Sequence, residues 1–235
     1  MDELKFSTID QVKQQQKGLI LVDKDQDWTS HDVVAKMRSL VGVKKIGHAG
    51  TLDPLATGLL IILVGREFTR LQDQFMKQDK EYEVEAQFGI ETDSYDAMGK
   101  VINKVDWEKV NTLTQEKIEA VMKDLTGEIV QTVPAFSAVK VKGKKLYQKA
   151  RKGKIDLATL PKRTVNIYKF KLAEFKKDQK NQQLLVKFTT KVSSGTYIRS
   201  LIHDLGKILQ VGAHVTQLRR VSIGNINVDK AVKIA

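Results

Sequence analysis

An α+β fold built around a mixed, largely antiparallel sheet is the architecture that these 235 residues predict. Two observations carry it. Apolar residues recur at a spacing of two in some stretches and of three and four in others, so strands and helices are interspersed along the chain. Strand-like stretches are joined in some places by a short polar turn and in others by a long reach that holds a helix, which suits a mixed sheet with helices packed on it. No low-complexity linker or internal repeat divides the sequence, and 41% hydrophobic content suffices for one large core or two modest ones.

Leu19 to Val22 reads as a short strand. Ser30 can cap the helix that follows, in which Val33, Val34, Met37, Leu40 and Val41 share one face before Gly42 ends it. Leu59 to Val64 is apolar without alternation, the pattern of a strand buried on both faces. Phe68, Leu71, Phe75 and Met76 mark an amphipathic helix. Tyr82, Val84, Ala86 and Phe88 then alternate with Glu81, Glu83, Glu85 and Gln87, a half-buried strand. Ile118, Val121, Met122 and Leu125 line a helix closed by Gly127, and Lys142-Gly143 is a turn between Ala138 to Val141 and Lys145 to Tyr147. Val165 to Phe175 and Leu184 to Val192 form two strands joined by the polar turn Lys176 to Gln182. Ile198, Leu201, Ile202, Leu205, Ile208 and Leu209 make the last helix, and Val215 to Ile223 the final strand.

Forty Lys and Arg against 28 Asp and Glu leave a formal charge of +12 and a pI near 9.6. Such a surface attracts a polyanion, with RNA or DNA as the first expectation and a merely solubilising charge as the alternative. The longest apolar stretch, Leu59 to Val64, is far too short to span a bilayer, and no basic amphipathic helix stands out. The first eighteen residues are polar and lack a signal-peptide core, so a cytoplasmic location is expected. Zero cysteines exclude disulfides, thiolate metal sites and cysteine nucleophiles, and His31, His48, His203 and His214 are too scattered for a metal-ligand spacing.

The string from Gly47 to Gly58, GHAGTLDPLATG, sets one aspartate, Asp53, among glycines, threonines and a proline just before the apolar strand. Pro54 fixes its own φ and pushes Asp53 out of the α region, so the loop displays its carboxylate on stiff backbone. In isolation an Asp-Pro pair is an ordinary turn. The whole string, however, closely resembles the catalytic loop of the TruB-type tRNA pseudouridine synthases. Further motifs follow in the family's order: Asp79-Lys80-Glu81-Tyr82, the acidic turn Thr92 to Asp96, Pro134 to Lys140 with Gly143 to Tyr147, Ser194 to Arg199, and Gly212 to Arg220. The resemblance runs from Gly18 to about Ile226. It implies the pseudouridine-synthase fold with a central RNA-binding cleft, one catalytic domain over residues 1–235, no metal and no organic cofactor. The small C-terminal RNA-binding PUA domain common in the family has no counterpart after the last matched strand.

By the same resemblance Asp53 is the catalytic residue, Arg199 the cation that keeps it charged, and Tyr82 the ring that stacks on the flipped base. A guanidinium is always charged and can pair at two points, which an aspartate desolvated by a bound base requires. Without the motif, Arg199 reads as a solvated helix charge and Tyr82 as an ordinary core tyrosine. His48 matches a loop histidine inserted among RNA bases, Asp96 and Leu218 match positions lining the uracil pocket, and Tyr197 packs beside the aspartate; a lone histidine is more often merely structural, and the other three are as much at home in a plain turn, strand or core. Lys80, Lys140, Lys144, Lys145, Arg219 and Arg220 are expected phosphate contacts, with a solvated basic face as the competing reading. The expected partner is the T-arm of tRNA, with no membrane and no obligatory protein partner. A guide-RNA-dependent relative shares these motifs, and a non-catalytic RNA-binding or tRNA-folding module is the other alternative. An aspartyl-phosphate enzyme is disfavoured because Leu55 stands where the second acid of an Asp-x-Asp pair belongs, and no Gly-Lys-Ser or Gly-Lys-Thr supports a phosphate loop.

Overall fold

The computed structural model describes residues 5–141, 143–150 and 159–234. In chain order the elements are α1 (Ile9–Gln15), β1 (Gly18–Lys24), α2 (Ser30–Val41), β2 (Ile46–Ala49), β3 (Thr57–Val64), α3 (Arg66–Thr69), α4 (Gln72–Met76), β4 (Lys80–Phe88), β5 (Ile90–Thr92) and β6 (Val101–Lys104). Then come α5 (Trp107–Asn111), α6 (Gln115–Asp124), β7 (Gly127–Thr132), β8 (Lys140–Val141), β9 (Lys144–Lys145), α7 (Leu146–Ala150), β10 (Lys162–Asp178), β11 (Gln183–Val192), α8 (Ile198–Ile208), β12 (Ala213–Ile223) and β13 (Ile226–Asn227). The chain divides into a terminal unit, residues Met1–Glu83 with Leu218–Ala235, and a central unit, Val84–Gln217.

In the terminal unit β3 is the organising strand. One edge pairs antiparallel with β1, from Gly18 opposite Val64 to Lys24 opposite Gly58. Its other edge is shared end to end: β12 pairs in parallel at Thr57 and Gly58, and β2 pairs antiparallel from Ile61 to Val64. Gly58 is required at the first of these contacts, because φ is +99° and a Cβ would lie 2.3 Å from the Arg220 carbonyl oxygen. Leu19, Leu21, Leu59, Ile61 and Leu63 project to one face and pack with Ala49, Phe75, Ile223 and Val228. Ile20, Val22, Leu60, Ile62 and Val64 are buried on the other, so the unbroken apolar run is a strand covered on both sides as expected. Each such side chain contributes about 1.5–3 kcal/mol of burial.

The α2 helix begins at the expected cap, Ser30, and its actual cap is one residue earlier. Thr29 is the N-cap, exchanging hydrogen bonds with Asp32 in a capping box, while Gly42 in the left-handed region closes the helix. The stretch from Phe68 to Met76 is two short helices rather than one, yet Phe68, Leu71 and Phe75 still reach the same core, which explains the helical spacing in the sequence. A further helix, α1, was not evident from periodicity and is held by a Thr8–Gln11 capping box.

The sheet of the central unit has the order β12-β4-β11-β10-β7. The 17-residue β10 pairs antiparallel with β7 along its first part and with β11 along the rest, with irregular register near Ile167 and Leu172. Both strands of this hairpin run further than expected, leaving only residues 179–182 as the turn. Gly127 does not close α6. It opens β7 at φ +95°, and Leu125 caps the helix. Ile208 ends α8 half-exposed, outside the apolar face formed by Ile198, Leu201, Ile202 and Leu205. A separate cluster of Val133, Ala135, Leu146 and Leu160 packs with Phe136, Val139 and Tyr197. The pairs β1–β3, β2–β3, β7–β10, β10–β11 and β12–β13 are antiparallel and β3–β12 is parallel, so the sheet is mixed and mostly antiparallel. No helix among the described residues is long and apolar enough to cross a membrane.

Candidate active site

The loop bearing Asp53 joins β2 to β3 in the terminal unit, and its backbone is fastened along its whole length. Arg220, 2% exposed, donates from Nη2 to the Gly50 carbonyl (2.7 Å) and from Nε to the Leu59 carbonyl (2.8 Å), bracketing the loop at both ends. Ser30 accepts from the Leu52 amide (2.9 Å) and donates back to the Leu52 carbonyl (3.2 Å). The Asp27 amide donates to the Pro54 carbonyl (2.9 Å), and the Ala56 amide to the Asp53 carbonyl (3.1 Å). Leu52, Leu55 and Ala56 are buried, whereas Asp53 is only half-buried, so apolar side chains anchor the loop and leave the carboxylate at its surface. A backbone fixed in advance in this way holds the carboxylate preorganised, with little reorganisation left for any chemistry it performs.

Beside the loop lies a cation that the sequence motifs did not single out. Lys24 is fully buried at the end of β1, and its Nζ donates to the carbonyls of Trp28 (2.6 Å), Asp25 (2.9 Å) and Pro54 (3.4 Å). Burial pulls its pKa down to about 8, opposed by the carboxylates of Asp53, Asp25 and Asp27. The one sequence signal was a lysine closing an otherwise apolar strand. Ser30 and Asp27 gave no signal, because their work is done through backbone bonds to a loop more than twenty residues away.

His48 sits on β2 with Nε2 3.0 Å from the Thr51 hydroxyl and its ring edge-on to His31 at 5.6 Å. Burial, His31 and Arg220 lower its pKa to about 4, so the imidazole is neutral at physiological pH. Tyr82 is half-buried on β4, while Val84, Ala86 and Phe88 of the same face are buried, so the ring stands where the apolar stripe reaches the surface. Leu218 is buried, and its carbonyl accepts from the Thr57 hydroxyl at 3.5 Å.

Two expected phosphate contacts are corrected by this geometry. Lys80 is buried, and its Nζ donates to the carbonyls of Phe75 (3.4 Å), Met76 (2.6 Å) and Gln78, closing the end of α4. Burial, with Arg220 nearby, brings its pKa down to about 8. Arg220 is committed to the Asp53 loop, so neither cation has donors at the surface for a phosphate. Arg219 is partly exposed but already makes two 2.9 Å bonds to the Asp23 carboxylate. Lys140 is exposed, and the side chains of Lys144 and Lys145 lie outside the described residues.

The central unit brings Asp96 and Arg199 together. Arg199 opens α8, is 3% exposed, and donates from Nη1 to the Ser94 carbonyl (2.6 Å) and from Nη2 to the Phe136 carbonyl (3.0 Å), with Nε 3.6 Å from Asp96 Oδ2. Asp96 in turn accepts from the Ser94 hydroxyl (2.5 Å) and the Met98 amide (3.1 Å). The solvated reading of Arg199 is thereby excluded. Tyr197 precedes the helix; the Gln131 side chain accepts from its amide (2.7 Å) and donates to its carbonyl (3.0 Å), and its ring joins the Val133 cluster. Asp53, Tyr82 and His48 belong to the terminal unit, and Asp96, Tyr197 and Arg199 to the central one. Among the described residues no group of three or more His, Asp or Glu side chains is arranged to hold a metal ion.

Comparison with known proteins bears directly on this loop and its neighbours. Residues 38–198 match the model for the TruB family pseudouridylate synthase N-terminal domain, and residues 199–235 match the tRNA pseudouridylate synthase B C-terminal domain. The tRNA pseudouridine synthase B of Chlamydia pneumoniae is 43% identical over 216 residues, covering 92% of this chain and 86% of the relative. That of Aquifex aeolicus (strain VF5) is 40% identical over 218 residues, covering 92% and 72%. Among solved structures, a chain of a Cbf5-Nop10-Gar1 complex superposes with a TM-score of 0.67 at 28% identity, covering 99% of this chain and 57% of its own. A chain of an H/ACA RNP bound to a substrate RNA superposes at 0.66 and 27%, covering 95% and 53%. This chain therefore spans little more than half the length of those two solved chains. With both domain models matched in succession and relatives of this identity along nearly its whole length, the chain belongs to the TruB family of pseudouridylate synthases.

Proposed function

We propose that this chain converts uridine to pseudouridine in tRNA, at the T-loop uridine numbered 55, acting in the bacterial cytosol without an obligatory protein partner. The observation that carries the proposal is the Asp53 loop, clamped by Arg220, Ser30 and Lys24, in a chain whose relatives are named tRNA pseudouridine synthase B. In the reaction the N1–C1′ bond breaks, the uracil turns, a C5–C1′ bond forms, the C5 hydrogen leaves and N1 gains a proton. The change is redox-neutral and balances without a co-reactant. Asp53 has three chemically open roles: attack at C6 of the base, attack at C1′, or proton removal at C2′. All three need an ionised carboxylate in fixed geometry. Reaching those atoms requires the nucleotide to leave the stack, at a cost of a few kcal/mol. Tyr82, with its ring at the end of an apolar stripe, is assigned to receive the base, and neutral His48 to stand among bases without bringing charge.

For Arg199 the expected result is that Arg199→Lys lowers kcat by at least tenfold and changes tRNA affinity much less. An ammonium cannot serve the Ser94 carbonyl, the Phe136 carbonyl and the Asp96 carboxylate with the planar fork that the guanidinium provides. Single-turnover rates and binding measured on the same preparation separate the two effects; parent-like turnover would remove Arg199 from the site.

Affinity for a T-arm stem-loop is expected to fall steeply with salt, because the +12 chain meets phosphates and each one neutralised contributes a log–log slope of about −0.7 to −0.9. Release of the C5 hydrogen from stem-loop uridine, with the protein as sole macromolecular addition, tests the function itself. The likeness to chains of an H/ACA RNP and of a Cbf5-Nop10-Gar1 complex motivates the contrasting arm. Release that appears only when a guide RNA and partner proteins are supplied would replace the stand-alone activity with a guided one.

A further inference from the structure

We infer that Tyr95 and His203 form a stacked pair that positions the Arg199 guanidinium for the uridine reaction. The inference deepens the proposed function and rests on Arg199 taking part in it. Tyr95 stands between two of the residues that hold Arg199: Ser94, whose carbonyl accepts from Nη1 at 2.6 Å, and Asp96, whose Oδ2 is 3.6 Å from Nε. Its φ is +64°, a left-handed conformation that a bulky aromatic residue rarely adopts and that persists only where the surroundings impose it. The backbone on either side is pinned, with the Tyr95 amide donating to the Thr92 carbonyl (3.2 Å) and its carbonyl accepting from the Val215 amide (3.0 Å). The ring lies 3.8 Å from that of His203, with 14° between their planes.

His203 is four residues beyond Arg199 on α8, one helical turn along the same face. The stack therefore ties the residue between the two grips to the helix that carries the guanidinium. Apart from the stack, the His203 ring has Glu91 as its charged neighbour. Its Nδ1 is buried without a hydrogen bond among the described residues, 3.7 Å from Glu91 Oε1, and burial holds the imidazole below its usual pKa. Glu91 Oε2 accepts from the Asn103 side-chain Nδ2 at 3.0 Å, and Glu91 is hemmed in by Gly212, where a Cβ would come 2.4 Å from the glutamate Cγ. A neutral ring placed for contact area rather than for hydrogen bonding is what a stacking partner requires.

Four variants separate the ring contact from the backbone shape. Tyr95→Gly accepts the left-handed φ but removes the ring, and His203→Ala removes the partner; each is expected to lower kcat on the T-arm stem-loop at least tenfold with KM within twofold. Tyr95→Phe and His203→Phe keep flat rings and are expected to stay within about threefold of the parent. Joining the two ring-removing changes should cost no more than either alone, since they delete one contact. Parent-like kcat in the ring-less proteins, loss of kcat in the ring-keeping ones, or a rise in KM that accounts for the loss each overturns the inference. A parent protein that makes no pseudouridine would overturn the proposed function instead, and the two failures are thus distinct.

Discussion

Asp53→Asn is expected to abolish pseudouridine formation while leaving tRNA affinity within a few fold. The amide keeps the size of the side chain, and the Asp53 carbonyl keeps its bond from the Ala56 amide, so the loop retains its shape. What is lost is the negative charge and the nucleophilic or basic oxygen on which each open route depends. Removing a central catalytic group of this kind costs on the order of 10⁴-fold or more in turnover. Asp53→Glu should also be severely impaired, though less than the asparagine protein. The loop is fixed by Arg220, Ser30 and Lys24, so it cannot retreat to accommodate an extra methylene, and the carboxylate is misplaced by about 1 Å, enough for a loss on the order of 10²-fold. Pre-steady-state turnover with binding measured in parallel checks both. Residual turnover near the parent rate in the asparagine protein would remove Asp53 from the mechanism.

The next largest effect is expected at Tyr82. Tyr82→Leu should reduce turnover on the order of 10²-fold, because stacking on an aromatic face offsets base flipping by about 1–3 kcal/mol and a leucine offers no such face. Tyr82→Phe keeps the face and should be far milder. Both residues suit a β-strand, and the buried positions below, Val84, Ala86 and Phe88, are untouched, so neither change should unfold the strand. Equal turnover of the leucine and phenylalanine proteins, read from initial rates at saturating stem-loop, would refute the stacking role.

Asp53 was singled out by the residues around it, whereas Tyr82 was singled out only through the resemblance, since its alternating strand alone reads as holding an ordinary core tyrosine. Loops that display chemistry are written locally. Pro54, the glycines and Asp53 lie within a dozen residues, and so does the apolar strand that follows. The strands β1, β3 and β4 were legible because burial on two faces or on one leaves a pattern of period one or two. Helix ends were less so: Thr29 rather than Ser30 caps α2, because the capping box with Asp32 satisfies two backbone groups and frees Ser30 to hold Leu52. Gly127 looked like a helix stop but serves the entry to β7. Hidden altogether was which cations face solvent. Lys80, Arg219 and Arg220 all read as phosphate contacts in a +12 chain, yet Lys80 closes a helix, Arg220 braces the Asp53 loop, and Arg219, though partly exposed, is paired with Asp23. Their partners are backbone carbonyls and a carboxylate brought near by the sheet, and no spacing in the sequence announces them. Lys24 was missed for the same reason.

Mapping pseudouridine at nucleotide resolution in unmodified tRNA, after incubation with the parent protein alone, tests the proposed function most directly. The expected result is a single new pseudouridine at position 55 of the T-loop, formed to completion by the parent protein and absent with Asp53→Asn. A tRNA that is bound and yet unmodified at that position, or modified equally well by the asparagine protein, would contradict it.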